Sequence, residues 1–184
     1  MKNLPNPEFD KYGYIQIYTG LGKAKTTAAM GLVCRALGRK FEVCIMQFCK
    51  DKNQTGEYKY FSENFNDNLD YLSSGLPHYP IPTKANITTD DKIKFIEGWE
   101  YIRRRQADYD LIVLDELTTA IDFGFILVEE VVLFLKDKPE HLEIVITGRN
   151  AQKELIEVAD LVTEMLPIKH YWDKGVKARL GIEY

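Results

Sequence analysis

The sequence predicts an α/β fold: a mostly parallel central sheet with helices on both faces. Three observations predict it. The hydrophobic period switches repeatedly between strand-like and helix-like, the strand-like runs are apolar throughout, and helical segments separate them. Strands that are apolar on both sides need cover on both sides, and parallel neighbours need crossover connections. At 184 residues a single domain spanning residues 1–184 is expected. A chain of that size buries roughly 70% of its extended-chain surface.

The elements follow in order. Residues 14–18 are a short β-branched and aromatic run that stops at Thr19-Gly20. Residues 25–37 are Ala-rich and helical, closed by Gly38 just past the end. Residues 42–48 (EVCIMQF) read as a buried strand, 56–61 as a short helix and 69–72 as a third strand. Residues 73–87 carry three prolines and a glycine and read as a loop. Thr88 or Thr89 then caps a long helix, with Asp90 and Asp91 in the first turn where the dipole favours them. Ile93, Ile96, Trp99 and Ile102 give it an apolar stripe, and Arg103-Arg104-Arg105 a solvated cationic end. Residues 111–114 form a four-residue strand, followed by a helical stretch through 128–135 and a strand at 143–147. Residues 151–158 are helical, 161–165 a last strand, and the tail from Ile168 is mixed.

Composition bounds the function. Apolar residues are 45% and charged residues 28%, with 12 Gly and 7 Pro, which is globular and excludes disordered or collagen-like chains. The net charge of −4 argues against a general electrostatic nucleic-acid binder. The charge is uneven, however. Residues 14–50 hold Lys23, Lys25, Arg35, Arg39, Lys40 and Lys50 against Glu42 alone, whereas residues 108–143 hold ten acids against Lys136 and Lys138. Positive charge gathered early in an acidic chain marks a candidate anion site. Cys34, Cys44 and Cys49 lack C-x-x-C spacing, and the first residues lack a secretory apolar core. Reduced thiols and a cytoplasmic location are therefore expected. The apolar stretches are interrupted by acids well short of the ~20 residues of a membrane helix.

One segment carries the chemistry: Thr19-Gly20-Leu21-Gly22-Lys23-Ala24-Lys25-Thr26-Thr27, after the first strand and opening the first helix. Glycines let backbone N–H groups converge on an anion, and the helix N-terminus adds partial positive charge. Lys25 would reach phosphate oxygens and Thr26 a metal ion. The pattern G-x-x-x-x-G-K-[ST] is not met: the first glycine comes one place late and Ala24 precedes the lysine. An ordinary strand-to-helix turn is the competing reading. A second feature favours phosphate. The strand at 111–114 delivers Asp115-Glu116 at its carboxyl end, where open α/β sheets bind ligands. Asp115 would join Thr26 at a metal, and Glu116 would touch magnesium or position a reactant. Arg149, following Thr147-Gly148, brings a guanidinium suited to phosphate to the same edge; the alternative is a surface arginine.

These residues resemble the P-loop corrinoid adenosyltransferases, whose phosphate loop reads T-G-x-G-K-G-K-T-T-A-A, one residue shorter than usual. Here it stands as TGLGKAKTTAA. The similarity continues through RALG (35–38), QF-x-K (47–50), Gly56-Glu57, VLDEL (113–117), ITGR (146–149), ADLVTEM (159–165) and IKHYWDKGVKARLGIEY (168–184). It implies a P-loop NTPase-like fold that binds ATP and Mg2+ and uses a corrinoid as substrate. Cobalt(I) attacks the ribose 5′ carbon and expels triphosphate. It further implies that Lys25 and Glu116 serve catalysis, and that residues 20–27 with Arg35 and Arg149 hold the nucleotide. Thr26, Asp115 and Glu116 would hold the metal. A homodimer and a flavoprotein reductase partner are also implied.

Two departures stand out. Ala24 replaces the glycine before the loop lysine, where a Cβ obstructs approach or requires a conformation alanine tolerates poorly. The family's corrinoid loop carries a G-F-x-W-like pair, and the corresponding residues here are Gly75-Leu76-Pro77-His78-Tyr79. Leu76 stands in for phenylalanine, tryptophan is missing, and His78 is either an exposed loop histidine or a lower ligand to cobalt. These departures keep a second reading open, a non-catalytic nucleotide- or corrinoid-binding paralogue. An ordinary P-loop ATPase or kinase is disfavoured by the loop length.

Overall fold

Six strands build the sheet: β1 (Ile15–Thr19), β2 (Val43–Gln47), β3 (Leu69–Ser73), β4 (Leu111–Asp115), β5 (Glu143–Thr147) and β6 (Leu161–Glu164). They were located in a computed structural model that describes residues 13–49, 51, 53, 55–65, 67–74 and 87–184. The helices are α1 (Lys25–Leu37), α2 (Gly56–Asn64), α3 (Thr89–Arg105), α4 (Leu117–Asp122), α5 (Val128–Lys136) and α6 (Lys153–Val158). Every adjacent pair of strands runs parallel, in the order β3-β2-β4-β5-β1-β6. β4 is therefore central, flanked by β2 and β5.

The unbroken apolar character of the strands is explained by two cores. Val43, Ile45, Val113 and Val145 face one side with Ala29, Val33 and Phe61 of α1 and α2. Cys44, Met46, Ile112, Leu114, Ile144 and Ile146 face the other, under α3 to α6. Alternate residues of one strand thus enter opposite cores. Within α3, Phe95, Trp99 and Ile102 are buried while Ile93 and Ile96 are exposed, so Phe95 takes the inward place expected of Ile93 and Ile96.

One boundary differs from the expected ones, and two others are specified by their caps. The stretch after β4 is two helices, because α4 ends in Gly124 at φ +76, with its N–H on Ile121 O and that of Phe125 on Ala120 O. This paired closure satisfies the last carbonyls and stops the helix. Of the two expected caps of α3, Thr88 serves: its Oγ1 accepts from Asp91 N–H, while the Asp91 carboxylate accepts from Thr88 N–H, a reciprocal capping box. Gly38 caps α1 in the right-handed region, and Lys40 carries the positive φ beyond it. Most of the expected 73–87 loop lies outside the described residues. β6 is an edge strand whose residues are all exposed.

The entry to α1 is strained. Ala24, its N-cap, sits at φ 90, ψ 0 and makes no side-chain cap hydrogen bond. A Cβ in the left-handed region costs about 1–2 kcal/mol. Ala24→Gly is therefore expected to stabilise the protein by about 1 kcal/mol, read as a higher urea midpoint at unchanged slope. A lowered midpoint would contradict the strain.

Candidate functional site

The loop between β1 and α1 is shaped by the segment that leaves β6. Gly22 N–H donates to Met165 O at 2.7 Å. A Cβ on Gly20 would lie 2.5 Å from that same carbonyl oxygen, and one on Gly22 2.7 Å from it. Close backbone approach thus requires both glycines, and Gly20, at φ +98, is required by conformation as well. Lys25, at the start of α1, is buried, and its Nζ donates to Gly20 O and Gly22 O at 2.7 Å each. The ammonium therefore lies inside the curl of the loop, at the helix N-terminus where an anion is favoured.

Across from the loop, the central strands end in polar residues. Gln47 closes β2, Asp115 closes β4 and Thr147 closes β5, and Gln47 pairs in register with Asp115. By strand alternation all three point to the α1 side of the sheet. Asp115 is fully buried. Its Oδ1 accepts from Thr26 Oγ1 at 2.9 Å and from Thr147 Oγ1 at 2.6 Å, and its Oδ2 accepts from Gln47 Nε2 at 3.1 Å. Thr147 Oγ1 in turn accepts from Glu116 N–H at 3.0 Å. Glu116 has φ 61, and its carboxylate accepts from Thr119 Oγ1 at 2.7 Å. Left-handed residues thus follow β1, β4 and β5 alike, at Ala24, Glu116 and Asn150, all along the carboxyl edge. Such strain gathers where the surrounding structure over-determines the backbone.

The structure brings Gly20, Leu21, Gly22, Lys23, Ala24, Lys25, Thr26, Thr27, Asp115 and Glu116 to one edge. Arg149 joins them, exposed, with its carbonyl accepting from Thr118 Oγ1 at 2.6 Å. Arg35 does not: it lies exposed in the last turn of α1, about 15 Å along the helix from Lys25. A 13-residue helix carries its two ends apart. Gly75, Leu76 and His78 lie outside the described residues. Gln47, Thr147 and Met165 were not anticipated as site residues. The available signal was that two otherwise apolar strands, VCIMQ and EIVIT, end in a polar side chain at the carboxyl edge.

The tail closes on the loop from outside. Lys23 Nζ donates to Glu183 Oε1 at 2.7 Å, Tyr171 Oη at 2.9 Å and Ile182 O at 3.0 Å. Three acceptors engage all three ammonium hydrogens. Arg179 adds its own backbone and guanidinium bonds to Glu183. Hydrogen bonds from Arg179, then Lys23 and Tyr171, hold the Glu183 carboxyl well below the usual carboxylate range. A carboxyl depressed in this way adds stability above its ordinary pKa and loses it as the pH falls towards the folded value. The tail is therefore expected to loosen at acid pH. Fluorescence of Trp172 in a Trp99→Phe background reads it, and Glu183→Gln should abolish that acid transition.

Comparison with known proteins agrees with this arrangement. A family model described as ATP:corrinoid adenosyltransferase BtuR/CobO/CobP matches residues 11–184. The corrinoid adenosyltransferase of Escherichia coli K12 is 35% identical over 177 residues, covering 95% of this chain and 87% of that protein. Corrinoid adenosyltransferase CobA of Salmonella typhimurium is 34% identical over the same length, with the same coverage. That of Pseudomonas aeruginosa is also 34% identical, covering 95% of this chain and 85% of its own. The crystal structure of the flagellar accessory protein FlaH from Methanocaldococcus jannaschii superposes with a TM-score of 0.56 at 14% identity, over 83% of this chain and 71% of that one. That likeness is one of fold alone. Aligned with the family from its eleventh residue to its last, the chain belongs to the ATP:corrinoid adenosyltransferases.

Proposed function

We propose that the chain transfers the 5′-deoxyadenosyl group of ATP to the cobalt(I) of a corrinoid and releases triphosphate, a step of cobalamin biosynthesis or salvage. The observation that carries the reading is the meeting of Lys25 and Thr26 with the buried Asp115 at the carboxyl edge. In this reaction a cobalt–carbon bond forms and the C5′–O bond breaks. The cobalt electron pair enters the new bond, and the bonding pair of C5′–O leaves with triphosphate. The corrinoid is itself the nucleophile, so the chain's task is to stabilise a polyanionic leaving group.

Lys25 is placed for that task, since exchanging its two loop carbonyls for phosphate oxygens leaves the ammonium where it is. Arg149 adds a second cation at the same edge, from an exposed position. Thr26, Asp115 and Glu116 are the residues that would hold magnesium. A hydroxyl beside a carboxylate, completed by substrate phosphates, suits that ion. Magnesium bound there supplies charge neutralisation to the triphosphate. We further take residues 1–184 to act as one cytoplasmic domain, working as a homodimer and served by a flavoprotein reductase.

Anaerobic incubation with ATP, Mg2+ and chemically reduced corrinoid should yield adenosylcorrinoid and triphosphate in equal amounts. Orthophosphate in place of triphosphate would overturn the reading. Lys25→Ala is expected to lower kcat/KM about 100-fold or more. Lys23→Ala should cost far less, because the tail already engages that ammonium.

A further inference from the structure

The buried row Gln47, Asp115 and Thr147 contains one atom that the fold leaves unanswered. Gln47 is 1% exposed. Its amide nitrogen donates to Asp115 Oδ2, and its carbonyl oxygen, Oε1, has no hydrogen-bond partner among the described residues. The orientation is not arbitrary. Turning the amide over would set Oε1 against a carboxylate oxygen, so Asp115 dictates that the nitrogen faces it and the oxygen faces away. A buried amide oxygen without a partner is destabilising, and in native structures such an atom calls for an explanation. A hydrophobic residue would fill the end of β2 without that cost, as Val43, Cys44, Ile45 and Met46 do along the rest of the strand.

We infer that Gln47 is a positioning residue of the metal–triphosphate site. Its Nε2 orients the Asp115 carboxylate, and its Oε1 accepts from a water in the magnesium shell. The inference rests on the nucleotide reading above. The residues present fit the ion: Asp115 is one hydrogen bond from Thr26 of the loop. Thr26 and Thr147 hold the Oδ1 side and Gln47 the Oδ2 side, so the carboxylate cannot rotate without breaking these bonds. Partners of this kind commonly change metal affinity 10–100-fold when removed. Among the described residues no group of three or more His, Cys, Asp or Glu side chains gathers. What Gln47 supplies is the orientation of the fully buried Asp115 carboxylate.

The test separates metal from nucleotide binding. Mn2+ is titrated by electron paramagnetic resonance against wild type and Gln47→Leu in the presence of ATP, and ATP alone is titrated in EDTA. Gln47→Leu should weaken Mn2+ binding in the ternary complex 10-fold or more and leave metal-free ATP affinity within twofold. A purely structural role would weaken both together, and equal losses would overturn the inference, as would Mn2+ binding at wild-type strength. A second measurement needs no variant. In 15N-labelled wild type the Gln47 side-chain amide resonance should shift with Mg2+ and ATP but not with ATP in EDTA, and identical responses would overturn the inference. Wild type that binds no nucleotide under either condition would remove the nucleotide reading and this inference together.

Discussion

The Asp115 carboxylate is the constraint on which the rest of the molecule depends. Burying an ionised carboxylate costs several kcal/mol unless hydrogen bonds replace the lost water. Asp115 is fully buried, and its donors come from three separate elements: Thr26 of α1, Thr147 of β5 and Gln47 of β2. Satisfying one side chain thus sets the end of α1 against the end of the sheet. The strand order makes this geometry possible, because β4 lies between the strands that bring Gln47 and Thr147. Thr147 extends the network by accepting from the Glu116 N–H, which ties the left-handed turn after β4 into the same cluster.

The phosphate loop is gripped from its other side by chain that comes much later. Met165 packs so closely on Gly20 and Gly22 that a Cβ at either glycine would meet its carbonyl oxygen. Lys23 reaches outward to Glu183 and Tyr171, while Lys25 turns inward to the loop carbonyls. Two cations separated by one residue therefore have opposite partners. The early cluster of positive charge supplies one tether for the tail and one ammonium within the loop. The later acidic stretch supplies the carboxylate opposite. Ala24 sits between the two lysines at φ 90, and its methyl is exposed. The departure from glycine thus places a Cβ on a left-handed residue.

Much was legible in the residues alone, and particular elements show why. Hydrophobic runs such as VCIMQ and LIVLD are buried on both faces, and that property depends on composition within a few positions. The loop glycines, Lys25, Thr26 and the Asp115-Glu116 pair announce themselves through short spacings relative to a strand end. The family resemblance rests on the same local words. Even Thr88 as a cap candidate was visible, since capping involves only neighbours in the chain. The division of the stretch after β4 into two helices was missed, although Gly124 marked it.

What local words do not encode is which distant side chains meet. Arg35 belongs to a motif close in sequence to the loop, yet it lies in the last turn of α1, at the opposite end from Lys25. Gln47 and Thr147 lie in different motifs, 68 and 32 residues from Asp115, and the sheet order brings them together. Glu183 is 160 residues from Lys23, and only the turn of the tail across the loop makes them partners. The residue pattern determined the elements, the apolar cores and the chemistry available at the carboxyl edge, because periodicity and spacing act over a few positions. Tertiary structure alone decided which carboxylate is buried, which donors hold it and which lysine remains within the loop. Those outcomes depend on strand order and on satisfying buried polar atoms across the whole chain.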